Sequence, residues 1–170
     1  MFIEIKKKYK GIVYKRRVGM SLSEAKSYVY HGEKPFDSQI MRELDYSMSF
    51  YSHPKPSMLL CYEREAFYNK NIPSLRITFD SQIRYRTEEL SMSLGSEGEK
   101  IIPDDVCVLE IKTDGGMPLY LCSVLDVLRI FPVSFSKYGT AYTTHFSNEK
   151  YNTIKGDSQN AGCFCFDNVR

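Results

Sequence analysis

The chain has 170 residues, of which 42% are hydrophobic and 26% are charged, so it is long enough to bury a core without disulfides or metals. A net charge of only +2 excludes the strong overall basicity that is typical of proteins that bind nucleic acids or membrane surfaces. Five cysteines without metal-ligand spacing, and the lack of an apolar run of roughly 18 residues, predict a cytoplasmic protein without a membrane span.

The first predicted element is a basic β-hairpin. Residues 2–9 and 12–18 alternate in type on either side of Lys10-Gly11, and glycine is a usual residue of tight hairpin turns. Because alternate side chains of a strand share a face, Lys7 and Arg16 fall on one side of the hairpin, and five other charged side chains are expected to group on the opposite side. These five residues are Glu4, Lys6, Lys8, Lys15 and Arg17.

Two helices are predicted after the hairpin. Ser21 is followed three residues later by Glu24, which is the sequence of a capping box and predicts a helix to about Tyr30. A second helix is predicted from about residue 37 to residue 49. The prolines within residues 53–56 then make a stiff connector.

The rest of the chain predicts four more strands and one helix. The strands are expected at 58–68, 74–80, 83–87 and 106–112, with a loop at 91–104. Apolar residues at helical spacing, with proline in the first turn, predict a helix over 118–130. Residues 144–170 show no period and are expected to be loose.

The polar faces of these strands carry about nine cations and two glutamates, and like charges on neighbouring strands repel each other. In an ordinary half-exposed sheet such charges simply face water. A polyanion would instead neutralise them through charge-assisted hydrogen bonds. The pattern alone leaves both interpretations open. Beyond the hairpin, the charged residues on these faces are Arg64, Arg76, Arg84, Arg86, Glu110 and Lys112.

Five segments, in this order, resemble a known family. They are FIEIKKKYKGIVYKRRV (2–18), CYEREAFY (61–68), LRITFDSQIRYR (75–86), LEIKT (109–113) and FPVSFSKYGTAY (131–142). Together they resemble the vacuolar-transporter-chaperone (VTC) domain of polyphosphate polymerases and their bacterial relatives, which belongs to the CYTH-like triphosphate tunnel metalloenzymes.

The resemblance implies an α+β fold: an antiparallel β-barrel or tunnel, closed or incomplete, with helices packed on the outside. Family domains usually begin with further strands before the segment that matches Phe2. The expected organisation is therefore a tunnel domain over 1–142 that lacks its first strands, followed by a loosely ordered tail over 143–170.

The resemblance also implies a function and a set of ligands. The expected function is binding of ATP, triphosphate or polyphosphate, with transfer of a phosphoryl group from ATP to a growing polyphosphate chain. A divalent metal, Mn²⁺ or Mg²⁺, is expected to assist, because such ions bridge carboxylate and phosphate oxygens. Whether this shortened chain is itself an enzyme is left open.

Residue by residue, the resemblance implies phosphate contacts from seven cations, and it matches Glu110 to the metal-binding glutamate of the family. Lys112, which lies beside Glu110 on the same strand face, is a further phosphate-binding candidate, and Glu4 is a second metal candidate. Strand parity adds Lys8 and Arg17 as further phosphate-binding candidates. The seven cations are Lys6, Lys15, Arg64, Arg76, Arg84, Arg86 and Lys137.

Other functions use the same cations. A tunnel triphosphatase would deliver water to the phosphate, and a binding module would hold polyphosphate, inositol phosphate or a nucleotide without turnover. RNA binding requires aromatic side chains among the cations, whereas Tyr9, Tyr14 and Tyr85 fall opposite the cationic faces by parity, so no nucleic-acid partner is expected. Homo-oligomer formation is left open.

Overall fold

A computed structural model describes residues 1–10, 12–150 and 164–167, without the side chains of residue 8 and of the residues after 146. The chain divides into two compact units. The first runs from Met1 to Pro56 and includes the last strand, and the second begins at Ser57.

The first unit contains a three-stranded antiparallel sheet and two helices, and its strand order is β2-β1-β7. Its elements are β1 (Phe2–Tyr9), β2 (Ile12–Gly19), α1 (Leu22–His31), α2 (Gln39–Phe50) and β7 (Phe164–Asp167). The predicted hairpin and both predicted helices are confirmed. Lys10, in the turn of the hairpin, has a positive φ of 48°.

Helix α1 begins with the predicted capping box. The Ser21 side chain accepts a hydrogen bond from the backbone N–H of Glu24, and the Glu24 carboxylate accepts one from the backbone N–H of Ser21. The helix ends at Gly32, whose φ of 73° lies in the left-handed region that glycine adopts without strain. Local sequence rules therefore fix both ends of this helix.

The core of the first unit lies on the apolar face of the hairpin. Ile3 from β1 packs there with residues of both helices, and Met41 and Leu44 are fully buried. The remaining buried members of the core are Met20, Ala25 and Tyr28. The opposite face of the hairpin includes Glu4, Lys6, Lys15 and Arg17.

The second unit contains a four-stranded antiparallel sheet in which β4 is central. Strand β3 pairs with one edge of β4, and β5 and β6 pair with successive parts of the other edge. Two helices follow. The elements are β3 (Leu59–Tyr68), β4 (Arg76–Arg86), β5 (Glu99–Lys100), β6 (Val108–Lys112), α3 (Leu119–Val127) and α4 (Lys137–Lys150).

Strand β4 is one continuous strand with a bulge, in place of the two strands predicted over 74–87. The register passes from Cys61 opposite Arg84 to Glu63 opposite Ser81, so β4 contains one extra residue. Gln82 lies in this interval with a positive φ of 50°. A bulge of this kind reverses which alternate residues face each side of the sheet beyond it.

The α+β class with antiparallel sheets is confirmed, and the described residues contain no closed barrel, so the tunnel stays a prediction. Helix α4 continues to Lys150, past the domain boundary expected at residue 142, and β7 pairs with β1. The rest of 143–170 lies outside the described residues. Among the helices that the structure describes, none has the length and apolarity needed to cross a bilayer.

Candidate functional site

One face of the sheet of the second unit brings together three cations from its strands and one from a helix. Residues directly opposite each other on antiparallel strands share a face, and the register sets Arg64 opposite Asp80 and Arg76 opposite Lys112. Helix α4 contributes Lys137, which contacts Asp80. We refer to this surface as the basic face. It consists of Arg64, Arg76, Asp80, Glu110, Lys112 and Lys137.

Asp80 lies at the centre of the basic face and is completely buried. Its two carboxylate oxygens accept hydrogen bonds from Nε and Nη2 of Arg64, at 2.6 and 2.7 Å. Lys137 Nζ lies 2.5 Å from Oδ2 of the same carboxylate. One buried acid therefore fixes the positions of two cations that come from a strand and from the first turn of a helix.

The charge of Asp80 is maintained by these two cations. Burial alone would raise the pKa of its carboxyl group, but the hydrogen bonds from Arg64 and Lys137 outweigh burial, so the pKa lies below its usual value. The hydrogen bonds to Asp80 in turn raise the pKa of the Arg64 guanidinium, against the effect of its partial burial. The Asp80 carboxylate and the Arg64 guanidinium are therefore both charged at neutral pH.

The aromatic ring of Tyr62, on strand β3, contacts both Arg64 and Lys137. Its ring centroid lies 5.1 Å from Arg64 Cζ and 4.8 Å from Lys137 Nζ, which are cation–π distances. The cations are thus held by both a carboxylate and an aromatic face. This leaves part of each charged group directed away from the sheet, with 30% of the Arg64 side chain and 21% of the Lys137 side chain exposed.

Glu110 is the exposed acid of the basic face. Its carboxylate lies 3.1 Å from Lys112 Nζ and 3.8 Å from Arg64 Nη2, and 42% of its side chain is exposed. Unlike Asp80, it keeps contact with solvent and can still bind a metal ion or a donor from a ligand. The prediction that Glu110 and Lys112 share a face is confirmed.

Arg76 differs from the other cations because it makes no ion pair with a carboxylate among the described residues. Its guanidinium lies 5.1 Å from the ring centroid of Tyr68, the residue opposite it on β3. Its Nε atom is buried, as is the hydroxyl of Thr78 two residues later, and neither has a hydrogen-bond partner in the described part of the chain. A half-buried cation without a counter-ion is costly, so this position favours an anion.

Arg84 and Arg86 lie on the opposite face of the sheet, because the bulge at Gln82 intervenes between them and Arg76. Arg84 is paired with Cys61, which shares its face of β3 with Glu63. The sequence pattern had assigned Arg76 and these two arginines to the polar faces of two separate strands. Their predicted role in phosphate binding remains a prediction that these contacts do not test.

Arg86 organises the loop that follows β4. Its guanidinium donates four hydrogen bonds to backbone carbonyls, which uses four of its five N–H groups. The distances lie between 2.9 and 3.1 Å. The accepting carbonyls belong to Glu89, Ser91, Gly95 and Glu97.

We expect Arg86→Lys to destabilise this loop, because an ammonium group cannot reproduce the planar arrangement of donors. Loss of two or more of these charge-assisted hydrogen bonds should cost about 2 kcal/mol of unfolding free energy. Hydrogen exchange of residues 87–98 measures the effect locally. Lys70→Arg, at an exposed position in the second unit, is the control. Unchanged protection of residues 87–98 in Arg86→Lys would contradict the assignment.

In the first unit, the hairpin register places Glu4, Lys6, Lys15 and Arg17 on one face, as predicted, whereas Lys7 and Arg16 lie on the other face. Lys6 lies opposite Lys15, and Glu4 lies opposite Arg17. Glu4 is 2% exposed, and its Oε2 atom lies 2.6 Å from Lys15 Nζ. The Arg17 guanidinium lies 4.7 Å from the ring centroid of Phe2. The side chain of Lys8, also predicted for this face, lies outside the described residues.

The two predicted metal ligands differ in what they can bind. The Glu4 carboxylate is buried beside Lys15, whereas Glu110 is accessible. The described residues contain no group of three or more His, Cys, Asp or Glu side chains that could hold a metal ion. Mg²⁺ commonly takes one or two carboxylates and completes its shell with phosphate oxygens and water. Glu110 therefore fits a metal that is bound jointly with a phosphate ligand.

Three residues that contact the cations of the basic face, Asp80, Tyr62 and Tyr68, were not among the predicted site residues. Strand parity already placed Asp80 with Arg76, since they are four positions apart on one strand. Its pairing with Arg64 depends on the register of two strands, which no local pattern supplies.

Comparison with known proteins gives one match. A family model described as "VTC domain" matches residues 1–146, which is most of the chain. Neither a curated protein nor a solved structure matches.

Proposed function

The chain belongs to the VTC domain family, and from this premise we propose that its basic face binds a chain of phosphate groups. Family membership suggests a polyphosphate-related function. The charges of the basic face agree with such a ligand, because four cations stand beside two carboxylates and one of these carboxylates is buried. Phosphate oxygens accept hydrogen bonds from guanidinium and ammonium groups strongly.

The observation that carries this proposal is Arg76. It is half-buried, stacked on Tyr68 and without a carboxylate partner among the described residues. Arg64 and Lys137 are already oriented by Asp80, so they would lose little side-chain entropy when they bind an anion. One unpaired guanidinium and two preoriented cations form a surface that should bind an extended anion more tightly than a single ion, because an extended anion can contact all three cations.

We further propose that the bound chain takes part in phosphoryl transfer of the polyphosphate polymerase type. The transferring phosphoryl group carries charge on its equatorial oxygens, and fixed cations stabilise that charge without moving. Arg64, Arg76 and Lys137 would supply this stabilisation and align the phosphates. Bound Mn²⁺ or Mg²⁺, held by Glu110 and phosphate oxygens, would neutralise further charge on the phosphates.

The hairpin of the first unit provides a second set of proposed phosphate contacts, namely Lys6, Lys8, Lys15 and Arg17. Lys15 differs from the others because it also contacts the buried Glu4 carboxylate. Replacing it would therefore affect the folded state as well as the ligand. Lys6 is the better probe of this surface, since it is exposed on β1.

We expect tripolyphosphate to raise the melting temperature of the wild-type protein. A ligand at a hundredfold excess over its dissociation constant stabilises the folded state by about 2.7 kcal/mol. Arg76→Gln should weaken binding by roughly 10- to 100-fold, which corresponds to the loss of one charge-assisted contact. Thermal unfolding over a series of tripolyphosphate concentrations measures this difference.

Two matched variants make the test specific. Lys70→Gln removes one exposed positive charge from the second unit outside the basic face and should bind as the wild type does. Arg84→Gln removes a charge from the same strand as Arg76 but from the opposite face, so it tests the separate prediction that Arg84 contacts phosphate. If Lys70→Gln weakened binding as much as Arg76→Gln, the ligand would be responding to net charge alone and the proposed site would be wrong.

Product analysis separates the candidate activities. With ATP and Mn²⁺, a polymerase yields long polyphosphate, whereas a tunnel triphosphatase releases orthophosphate from tripolyphosphate. A binding module is stabilised by the ligand and yields neither product. We expect polyphosphate.

A further inference from the structure

Thr78 lies at the centre of the basic face, although it carries no charge. It stands on β4 between Arg76 and Asp80. Across the sheet, Ala66 lies opposite it on β3, and Glu110 lies opposite it on β6. Residues two positions apart on a strand are separated by roughly 7 Å. A phosphate chain that contacts both Arg76 and the two cations held by Asp80 must therefore cross Thr78.

The hydroxyl group of Thr78 is buried without a hydrogen-bond partner. Thr78 is 4% exposed, and its Oγ1 atom makes no hydrogen bond in the part of the chain that the structure describes. The Nε atom of Arg76, on the same face, is buried in the same way. Both groups bind water in the unfolded chain, so burying them unpaired disfavours folding. Two neighbouring donors without an acceptor indicate that a ligand supplies the acceptor.

The surface beside Thr78 is open on the side of Ala66. Ala66 is exposed, and its single methyl group leaves space between the longer side chains of Arg64 and Tyr68, which flank it on the same face. On the other side of Thr78, Glu110 keeps 42% of its side chain in contact with solvent. A ligand that approaches over Ala66 can therefore reach the hydroxyl when long side chains turn aside, without a change in the backbone.

We propose that the Thr78 hydroxyl donates a hydrogen bond to an oxygen of the bound phosphate chain, next to the oxygens bound by Arg76. This inference rests on the proposed function, and it adds an uncharged donor to the cations named there. A phosphate oxygen suits both donors, because it is negatively charged and accepts more than one hydrogen bond. Binding then provides an acceptor for two buried donors, which an ion held only by the exposed Lys112 would leave unpaired.

Thr78→Val tests this inference, because it replaces the hydroxyl by a methyl group of similar size. Without ligand, the variant should melt roughly 2–4 °C higher than the wild type, since a buried hydroxyl without a partner is removed. The dissociation constant of tripolyphosphate, without metal, should rise about 10-fold, since a hydrogen bond to a charged oxygen is lost. Thermal unfolding of the free protein and calorimetric titration with tripolyphosphate measure the two effects.

Two further variants serve as controls. Thr78→Ser keeps the hydroxyl and should bind tripolyphosphate with the affinity of the wild type. Thr144→Val makes the same substitution at an exposed position of α4, and it should change neither the melting temperature nor the affinity.

The outcomes separate this inference from the proposed function. If the wild type bound tripolyphosphate and Thr78→Val bound it equally well, the inference would be overturned and the proposed function would stand. A lower melting temperature of free Thr78→Val would also overturn it, because the hydroxyl would then stabilise the folded protein itself. If the wild type bound no tripolyphosphate, the proposed function would fail, and this inference with it.

Discussion

Replacing Asp80 by alanine is expected to lower the free energy of unfolding by about 3 kcal/mol, because the change leaves two cations together without their buried counter-ion. Arg64 and Lys137 retain some contact with solvent, which keeps the cost near the lower end for a broken buried ion pair. Chemical denaturation at neutral pH measures the loss. Asp105→Ala, at an exposed loop position, should change stability by less than about 0.5 kcal/mol.

The contribution of Asp80 to the free energy of unfolding is expected to decrease at acidic pH. The pKa of Asp80 is lower in the folded state than in the unfolded chain, since the hydrogen bonds from Arg64 and Lys137 outweigh burial. The folded state is therefore stabilised by the charged carboxylate above the unfolded-state pKa of about 4, and this contribution is lost as the pH falls through the folded pKa. The stability difference between wild type and Asp80→Asn should stay constant from neutral pH to about pH 4 and shrink below it. A difference that shrank already between pH 7 and pH 5 would contradict this assignment.

The second large effect is expected at Glu110. Glu110→Gln should lower the rate of polyphosphate synthesis from ATP and Mn²⁺ by about 10²-fold, because the accessible carboxylate proposed to hold the metal is removed. Binding of tripolyphosphate without metal should be unchanged or tighter, since one negative charge leaves the basic face. A simple loss of structure would instead weaken both.

Glu65→Gln is the matched control for this prediction. Glu65 lies on β3 opposite Phe79, on the other face of the sheet, and is exposed. Glu65→Gln should leave unchanged both the rate of polyphosphate synthesis and the affinity for tripolyphosphate without metal. If Glu110→Gln reduced the rate and the metal-free affinity by the same factor, the proposed role of Glu110 toward the metal would be wrong.

Elements that depend on local rules were predictable from the sequence. The alternation around Lys10-Gly11 is sufficient for the hairpin, and Ser21 with Glu24 is sufficient for the start of α1. The shared face of Lys6 and Lys15 followed from the same alternation. In each case the residues that determine the structure lie within one hairpin or one helical turn, so no contact between distant parts of the chain was needed.

The bulge in β4 shows where the alternation of polar and apolar residues no longer predicts which face of the sheet a side chain occupies. The predicted break between residues 80 and 83 was placed correctly but interpreted as a gap between two strands. The chain instead continues through Gln82 in a left-handed conformation, which a glutamine gives no reason to expect. One inserted residue then moves Arg84 and Arg86 to the face opposite Arg76.

Other features could not be predicted because they depend on contacts distant in sequence or on weak propensities. The ion pair of Arg64 with Asp80 requires the β3–β4 register. Strand β5 has only two residues and exists through its pairing with β4. Helix α4 contains Gly139 and several threonines and tyrosines, which are poor helix formers, and its start depends on the Ser136 side chain, which accepts a hydrogen bond from the backbone N–H of Gly139.

A crystal structure of the protein with tripolyphosphate tests most directly the claim that one face of the second sheet recognises a phosphate chain. We predict phosphate oxygens within hydrogen-bonding distance of the Arg76, Arg64 and Lys137 side chains, with Asp80 still holding the latter two. A well-ordered tripolyphosphate bound elsewhere, with Arg76 still stacked on Tyr68 and contacting no phosphate, would contradict it.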